Sequence, residues 1–332
     1  GTVEAWSSAS PTSSNLFRRA SAGTATSAFL ASGDTGTTPS IASTTEEYNG
    51  SGFSNGGNVN TARYSAAASG NETAGLMFGG FVPPYSNATE SYNGSSWTTS
   101  PYTLNTARFV TMGCGTNTAA LCIGNSAAPQ NVVESWNGSS WTETTEINTG
   151  RGYWTCAGTQ TDAIAANGYT NTMVNSNELW DGSTWTESGN TNSTADSRIS
   201  SGNTSAALQA GGYITTSPPT NTTNTEIWNG SSWTEVNNLN TARLGLAGLG
   251  IQTAALAVSG EGPPSNNLTN VEQWDGSSWT EVGDLNEGRS GASSNIGTST
   301  AALVAGGDDG SPTVNVESWN GSAWTETGNL NQ

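Results

Sequence analysis

The side chains of this chain that could do chemistry are few in kind: 26 Asp and Glu, eight arginines, three cysteines and many hydroxyls, with no histidine and no lysine. That set excludes a Ser-His-Asp triad, a His-ligated metal and a lysine Schiff base. Two chemistries survive it: acid–base work by paired carboxylates, as in glycoside hydrolysis, and capture of an anion by clustered arginines. Cys114, Cys122 and Cys156 are too few for a disulfide scaffold and lack the spacing of a zinc site, so they read as small buried hydrophobes on strands. Asp308-Asp309-Gly310 lacks the alternating acidic pattern of a calcium loop. No metal and no cofactor is expected.

Spacing decides what the arginines and glutamates do. Arg18 or Arg19, then Arg63, Arg108, Arg151, Arg198, Arg243 and Arg289, occur once per period, and so do Glu46, Glu90, Glu134, Glu178, Glu226, Glu272 and Glu317. A ligand site would break such regularity. These residues obey it, so the expectation is a structural tether from arginine to carboxylate or carbonyl, repeated around a ring. No carboxylate pair stands outside the pattern.

The elements that hold these residues repeat as well. The aromatic two residues after each glutamate falls at Tyr48, Tyr92, Trp136, Trp180, Trp228, Trp274 and Trp319, at intervals of 44, 44, 44, 48, 46 and 45 residues. Within each period an arginine leads into a Gly/Ala-rich segment, then a Thr-Ala-Ala-Leu-like run ending in glycine, then Glu-x-aromatic, an Asn-Gly or Asp-Gly step, and Trp-Thr. Short β-prone runs separated by turn residues predict four strands per period, and a 44-residue period of four strands is a propeller blade.

At these slots the chain resembles the kelch-repeat propellers. One blade reads Arg63, Gly79-Gly80, Glu90, Tyr92 and Trp97; another reads Arg289, Gly306-Gly307, Glu317, Trp319 and Trp324. It departs from the family pattern where the double glycine is reduced to Gly124 or Gly168 and where Phe53 replaces tryptophan. The resemblance implies an all-β, seven-bladed kelch-like β-propeller with four antiparallel strands per blade. Residues 1–332 form a single domain in this reading, with blades near 11–55, 56–100, 101–144, 145–188, 189–236, 237–282 and 283–332. Trp6 marks an extra outer-strand-like segment at residues 1–10.

Twelve of the 13 tryptophans occupy repeat slots, among them Trp97, Trp141, Trp185, Trp233, Trp279 and Trp324 on the fourth strands. A role in the core between blades follows, because each ring carries a large apolar surface. Trp154 is off-pattern and is placed at the axis. Asn49, Asn93, Asn137, Asn229 and Asn320 sit in formal Asn-x-Ser glycosylation sequons, but Asp181 and Asp275 fill the same slot. Turn chemistry explains all seven, and the expected form is a type I′ hairpin with Asn or Asp at positive φ before Gly.

Function is expected where the repeats disagree. The loops between second and third strands vary most, and they share a face with the linkers between blades. On that face Phe81, Tyr85, Tyr102, Tyr169 and Tyr213 are candidate binding residues, able to stack on sugars or grip a protein, and Trp154 at the axis is a further candidate for stacking on a ligand.

A formal charge of −18 opposes binding to nucleic acid or anionic membranes. No segment has the ~20 apolar residues of a membrane helix, and no signal peptide opens the chain, which begins at Gly1 without Met as a processed or partial chain would. The Thr/Ser/Asn/Gly-rich, lysine-free style resembles kelch-type repeat proteins of marine bacteriophages. That resemblance implies a non-enzymatic extracellular or virion-associated propeller, of tail-fibre or surface-appendage type, mediating attachment or assembly. Its partners would be structural proteins of the same assembly or host-surface glycan or protein, with a homo-oligomer left open. The alternative is a secreted carbohydrate-active enzyme using Asp and Glu on the same scaffold. Copper-radical oxidation, known among kelch-like propellers, needs histidines this chain lacks.

Overall fold

The computed structural model describes residues 16–327 except 17, 25, 36–40, 51, 110–111, 125–130, 153–154, 171, 196–197, 215–219, 265, 293–295 and 312. The expected extra N-terminal strand, with Trp6, and the axial Trp154 lie outside the described residues.

Seven antiparallel sheets follow one another along the chain, and each is a blade of the propeller. The third shows the plan: Met112–Gly115, Ala120–Ile123, Val133–Trp136 and Trp141–Glu143 pair in sequence order, with Cys114 opposite Leu121, Cys122 opposite Glu134, and Trp136 opposite Trp141. In the seventh blade Ala302–Ala305, Val316–Trp319 and Trp324–Glu326 form the outer three strands. Its innermost position is marked by a bridge from Gly297 to Ala302 and by Leu303 N–H donating to the Ile296 carbonyl. Two further ladders, Tyr213–Ile214 with Thr220–Asn221 and Glu261–Gly262 with Asn266–Asn267, extend the second-to-third loops of blades five and six.

The apolar core is divided among the seams. Each of seven clusters joins one blade to its neighbour: Leu121, Ile123 and Val133 of blade three, for example, pack with Ala163, Ala165, Trp180 and Trp185 of blade four. The ring closes in the same way. Ala28, Leu30, Tyr48 and Phe53 of blade one meet Ile296, Leu303, Ala305 and Val316 of blade seven. Inner strands approach closely where side chains are absent; a Cβ on Gly248 would lie 2.4 Å from the Ile199 Cβ of the preceding blade.

Tryptophan rings pair within the third and outer strands, with centroids 5.4 Å apart for Trp136 and Trp141. The outer indole then reaches back one blade. Trp97 Nε1–H donates to Thr45 Oγ1 at 2.7 Å, Trp141 to Thr89 at 2.8 Å and Trp279 to Thr225 at 2.9 Å. Val133 and Val271 occupy the acceptor's slot elsewhere, and Asn177 stands in it without bonding; the Nε1–H groups of Trp185, Trp324 and Trp233 are accordingly buried without a partner.

The Asn-Gly turns correct one expectation. Only the glycine has left-handed φ, from +88° at Gly94 to +97° at Gly276, and no turn Asn or Asp is among the positive-φ residues. The hairpin is therefore not type I′. Asn93 instead turns its Oδ1 inward as an acceptor for Ser95 N–H at 3.0 Å and Ser96 N–H at 2.9 Å, the local capping that Asn and Asp share. Asp181 does the same for Ser183 and Thr184, each N–H at 2.8 Å. These bonds to the ionised form lower its pKa to about 2, as they do for Asp275.

Candidate functional site

The once-per-blade arginines and glutamates meet as expected. Arg63 Nη1 lies 2.6 Å from Glu90 Oε1, Arg151 Nη1 2.6 Å from Glu178, Arg198 3.1 Å from Glu226, Arg243 2.9 Å from Glu272, and Arg289 2.6 Å from Glu317, while Arg108 pairs with Glu134. In the first blade the tether belongs to Arg19, which pairs with Glu46 and donates to the Leu30 carbonyl at 2.9 Å. All seven tethers are buried. Burial pulls the Arg63, Arg151, Arg198 and Arg243 guanidinium pKa values down, and the partner carboxylates oppose it. For Glu226 burial pushes upward, but the Ser193 hydroxyl, the Asn192 N–H and Arg198 outweigh it and the net shift is downward.

A third member of six of the seven tethers, those of blades two to seven, was not singled out in the sequence. Asn60 donates its backbone N–H at 2.6 Å and its Nδ2–H at 3.0 Å to Glu90 Oε2, then a second Nδ2–H to the Trp97 carbonyl at 3.0 Å. Asn105, Asn148, Asn192, Asn240 and Asn286 repeat the contact to their glutamates. The recurring Asn-Thr-Ala-Arg was the available signal. The glutamate thus fastens the incoming linker to the third and outer strands.

The same linkers and the second-to-third loops build the variable face. Gly80 N–H donates to the Arg108 carbonyl of the next blade at 2.8 Å, as Gly212 does to Arg243 and Gly260 to Arg289. The left-handed slot just before this second glycine is filled by Gly79, Gly211 or Gly306 in some blades and by Ser32, Asn167 or Ser259 in others. Where serine bears that strain, it compensates with its hydroxyl. Ser32 Oγ donates to the Ala42 carbonyl at 2.7 Å and accepts from Arg63 N–H at 2.7 Å.

Past these two landmarks, the residue after the arginine pairs with the residue after the glycine, and chemistry diverges there. The pairs are Tyr64 with Phe81 in blade two, Gly152 with Tyr169 in blade four, Leu244 with Glu261 in blade six and Ser290 with Asp308 in blade seven. One side of the face is aromatic and another acidic.

The aromatic side is continuous. Tyr64 and Phe81 have centroids 4.9 Å apart, Phe81 lies 5.6 Å from Phe109 and 5.9 Å from Tyr85, and Tyr85 stacks on Phe109 at 4.7 Å with planes 12° apart. Arg18 extends the row, its guanidinium 5.6 Å from the Tyr64 centroid and 3.8 Å from Asp34. The Arg18 side chain is 55% exposed, whereas no tethered arginine exceeds 5%. Its φ is +55°, and its carbonyl accepts from Ser65 N–H at 2.9 Å as the Gly245 carbonyl does from Gly291. An arginine therefore occupies a left-handed position where glycine serves in blade six.

Of the expected binding residues, Phe81 and Tyr85 come together here, joined by Tyr64, Phe109 and Arg18, which sequence reasoning passed over. Tyr102 is exposed and makes no ring contact among the described residues. Tyr169 bridges both Gly152 and Met173, and Tyr213 lies on a loop ladder; neither joins the row. On the acidic side, Asp308 Oδ1 accepts from Gly310 N–H at 2.8 Å, and no group of three or more metal-ligating side chains occurs among the described residues. The Cys114 thiol is held up by its hydrogen bond with Cys156 and by burial, which disfavours the nucleophilic thiolate.

No family model matches the chain, and no curated protein does. Solved structures do. One described as "Structure of YjhT" superposes with a TM-score of 0.62 at 11% identity, covering 80% of this chain and 96% of that one. At that identity the likeness is one of fold: both are β-propellers.

Proposed function

We propose that this is a non-enzymatic recognition propeller of the kelch type, carried on an extracellular or virion-associated assembly and used for attachment. It engages a glycan or protein through the variable-loop face. The observation that carries the reading is the aromatic row of Tyr64, Phe81, Phe109 and Tyr85, assembled from three chain segments; other blades place Gly152, Leu244 or Ser290 in the slot of Tyr64, and Tyr169, Glu261 or Asp308 in that of Phe81, without gathering such a row. Scaffold demands do not call for it, since the other blades close without it.

The virion setting, of tail-fibre type, is supported by the lysine-free Thr/Ser/Asn/Gly-rich repeats and their likeness to phage-encoded kelch-type proteins. The carboxylates near the tethers are committed to the linkers, which favours binding over hydrolysis. A glycan array read both for retention and for new reducing ends tests this. Retention without cleavage is expected; cleavage would make the chain a carbohydrate-active enzyme instead. No retention by glycans or by host-surface proteins would overturn the reading.

A further inference from the structure

We infer, resting on the recognition reading above, that the row running from Arg18 through Tyr64 and Phe81 to Phe109 and Tyr85 binds a neutral oligosaccharide. The rings follow one another at 4.7 to 5.9 Å between centroids. Phe81, Tyr85 and Phe109 close on one another, edge-on and stacked, and the partly exposed rings together give an apolar surface for the C–H face of a pyranose, which is apolar on the face and polar at the edge. At the end of the row stand a donor and an acceptor side by side, the Arg18 guanidinium and the Asp34 carboxylate 3.8 Å apart. A sugar hydroxyl both donates and accepts, so a vicinal pair of hydroxyls satisfies both groups at once.

Charge selects neutral over acidic sugars. The chain carries −18 overall, its seven other arginines are buried in tethers, and Asp34 already balances Arg18. A uronic-acid or sulfated chain would meet a field of its own sign. Size selects a saccharide over a protein, because a stable protein interface needs about 20 to 30 residues a side and the row is five side chains.

The test uses the whole chain in calorimetric titrations against neutral hexose tetrasaccharides and uronic-acid oligosaccharides of equal length, preceded by an array of both. Two variants accompany the wild type: Phe81→Ala, and Arg18→Asn, which keeps the left-handed backbone comfortable. Thermal melts check that both fold. Binding of at least one neutral oligosaccharide, weakened about tenfold or more by each variant, supports the inference. Binding of acidic sugars alone overturns neutrality while leaving the recognition reading standing. Neutral binding unaffected by both variants overturns the site. Capture of a protein with no glycan bound overturns the saccharide and keeps recognition, and failure of every class overturns both.

Discussion

Eight arginines divide into seven that the fold consumes and one that it displays. Arg63 is sealed between Glu90 and the linker carbonyls, fully buried; Arg18 stands over a tyrosine in solvent. The buried seven recur at the blade period and explain why the ring holds. The exposed one breaks the period and lies at the only row of four touching rings on the variable face among the described residues. In a repeat protein, regular placement marks structure and irregular placement marks the place to look for a ligand.

The largest effect that would break this contrast is at a tether. Glu134→Gln leaves Arg108 buried without a countercharge, and removing one member of a buried pair costs about 3–5 kcal/mol; chemical denaturation should show that loss, and a wild-type midpoint would remove the tether from the account. A smaller effect sharpens the picture at the seams. Val133→Thr should give the Trp185 indole the acceptor that Thr89 gives Trp141, and gain about 1 kcal/mol, whereas Thr89→Val should lose a similar amount; equal midpoints for all three proteins would contradict it.

Acid probes the turns. The folded pKa of Asp181 and Asp275 is about 2, below the ordinary value near 3.9. Their contribution is fully present above about pH 4 and is lost as pH falls toward 2. The double variant Asp181→Asn with Asp275→Asn, which installs the residue used at the other five turns, should lose less stability than wild type between pH 5 and pH 2. Parallel pH profiles would sink that account. The smallest effect belongs to the displayed residue: Arg18→Asn should leave stability within about 0.5 kcal/mol.

The sequence carried the fold in the plainest way, because each blade must bury its faces against identical neighbours and so repeats its aromatics, glycines and ion pairs. It carried the tether for the same reason. Three things stayed hidden. Arg19 and Arg18 are adjacent in sequence, and only the geometry of Glu46 and Leu30 chooses the first. Asn60 is one of many asparagines in the linkers, and only its N–H bonds to the glutamate set it apart. Ser32 and Ser259 stand where other blades have glycine, yet they keep the left-handed turn and add a hydroxyl that binds the next linker. The aromatic row was half legible. Phe81 and Tyr85 lie in one loop, but Tyr64 and Phe109 follow arginines on separate linkers, and only the packing of blade two between its neighbours brings them into one surface.

The direct test of the division between scaffold and displayed arginine is a pair of thermal melts, Arg243→Ala beside Arg18→Asn. Losing about 3–5 kcal/mol in a chain of this length lowers Tm by roughly 5 °C, so Arg243→Ala should melt clearly below wild type while Arg18→Asn melts with it. Coincident melting of Arg243→Ala and wild type, or an equal drop in both variants, would contradict the account.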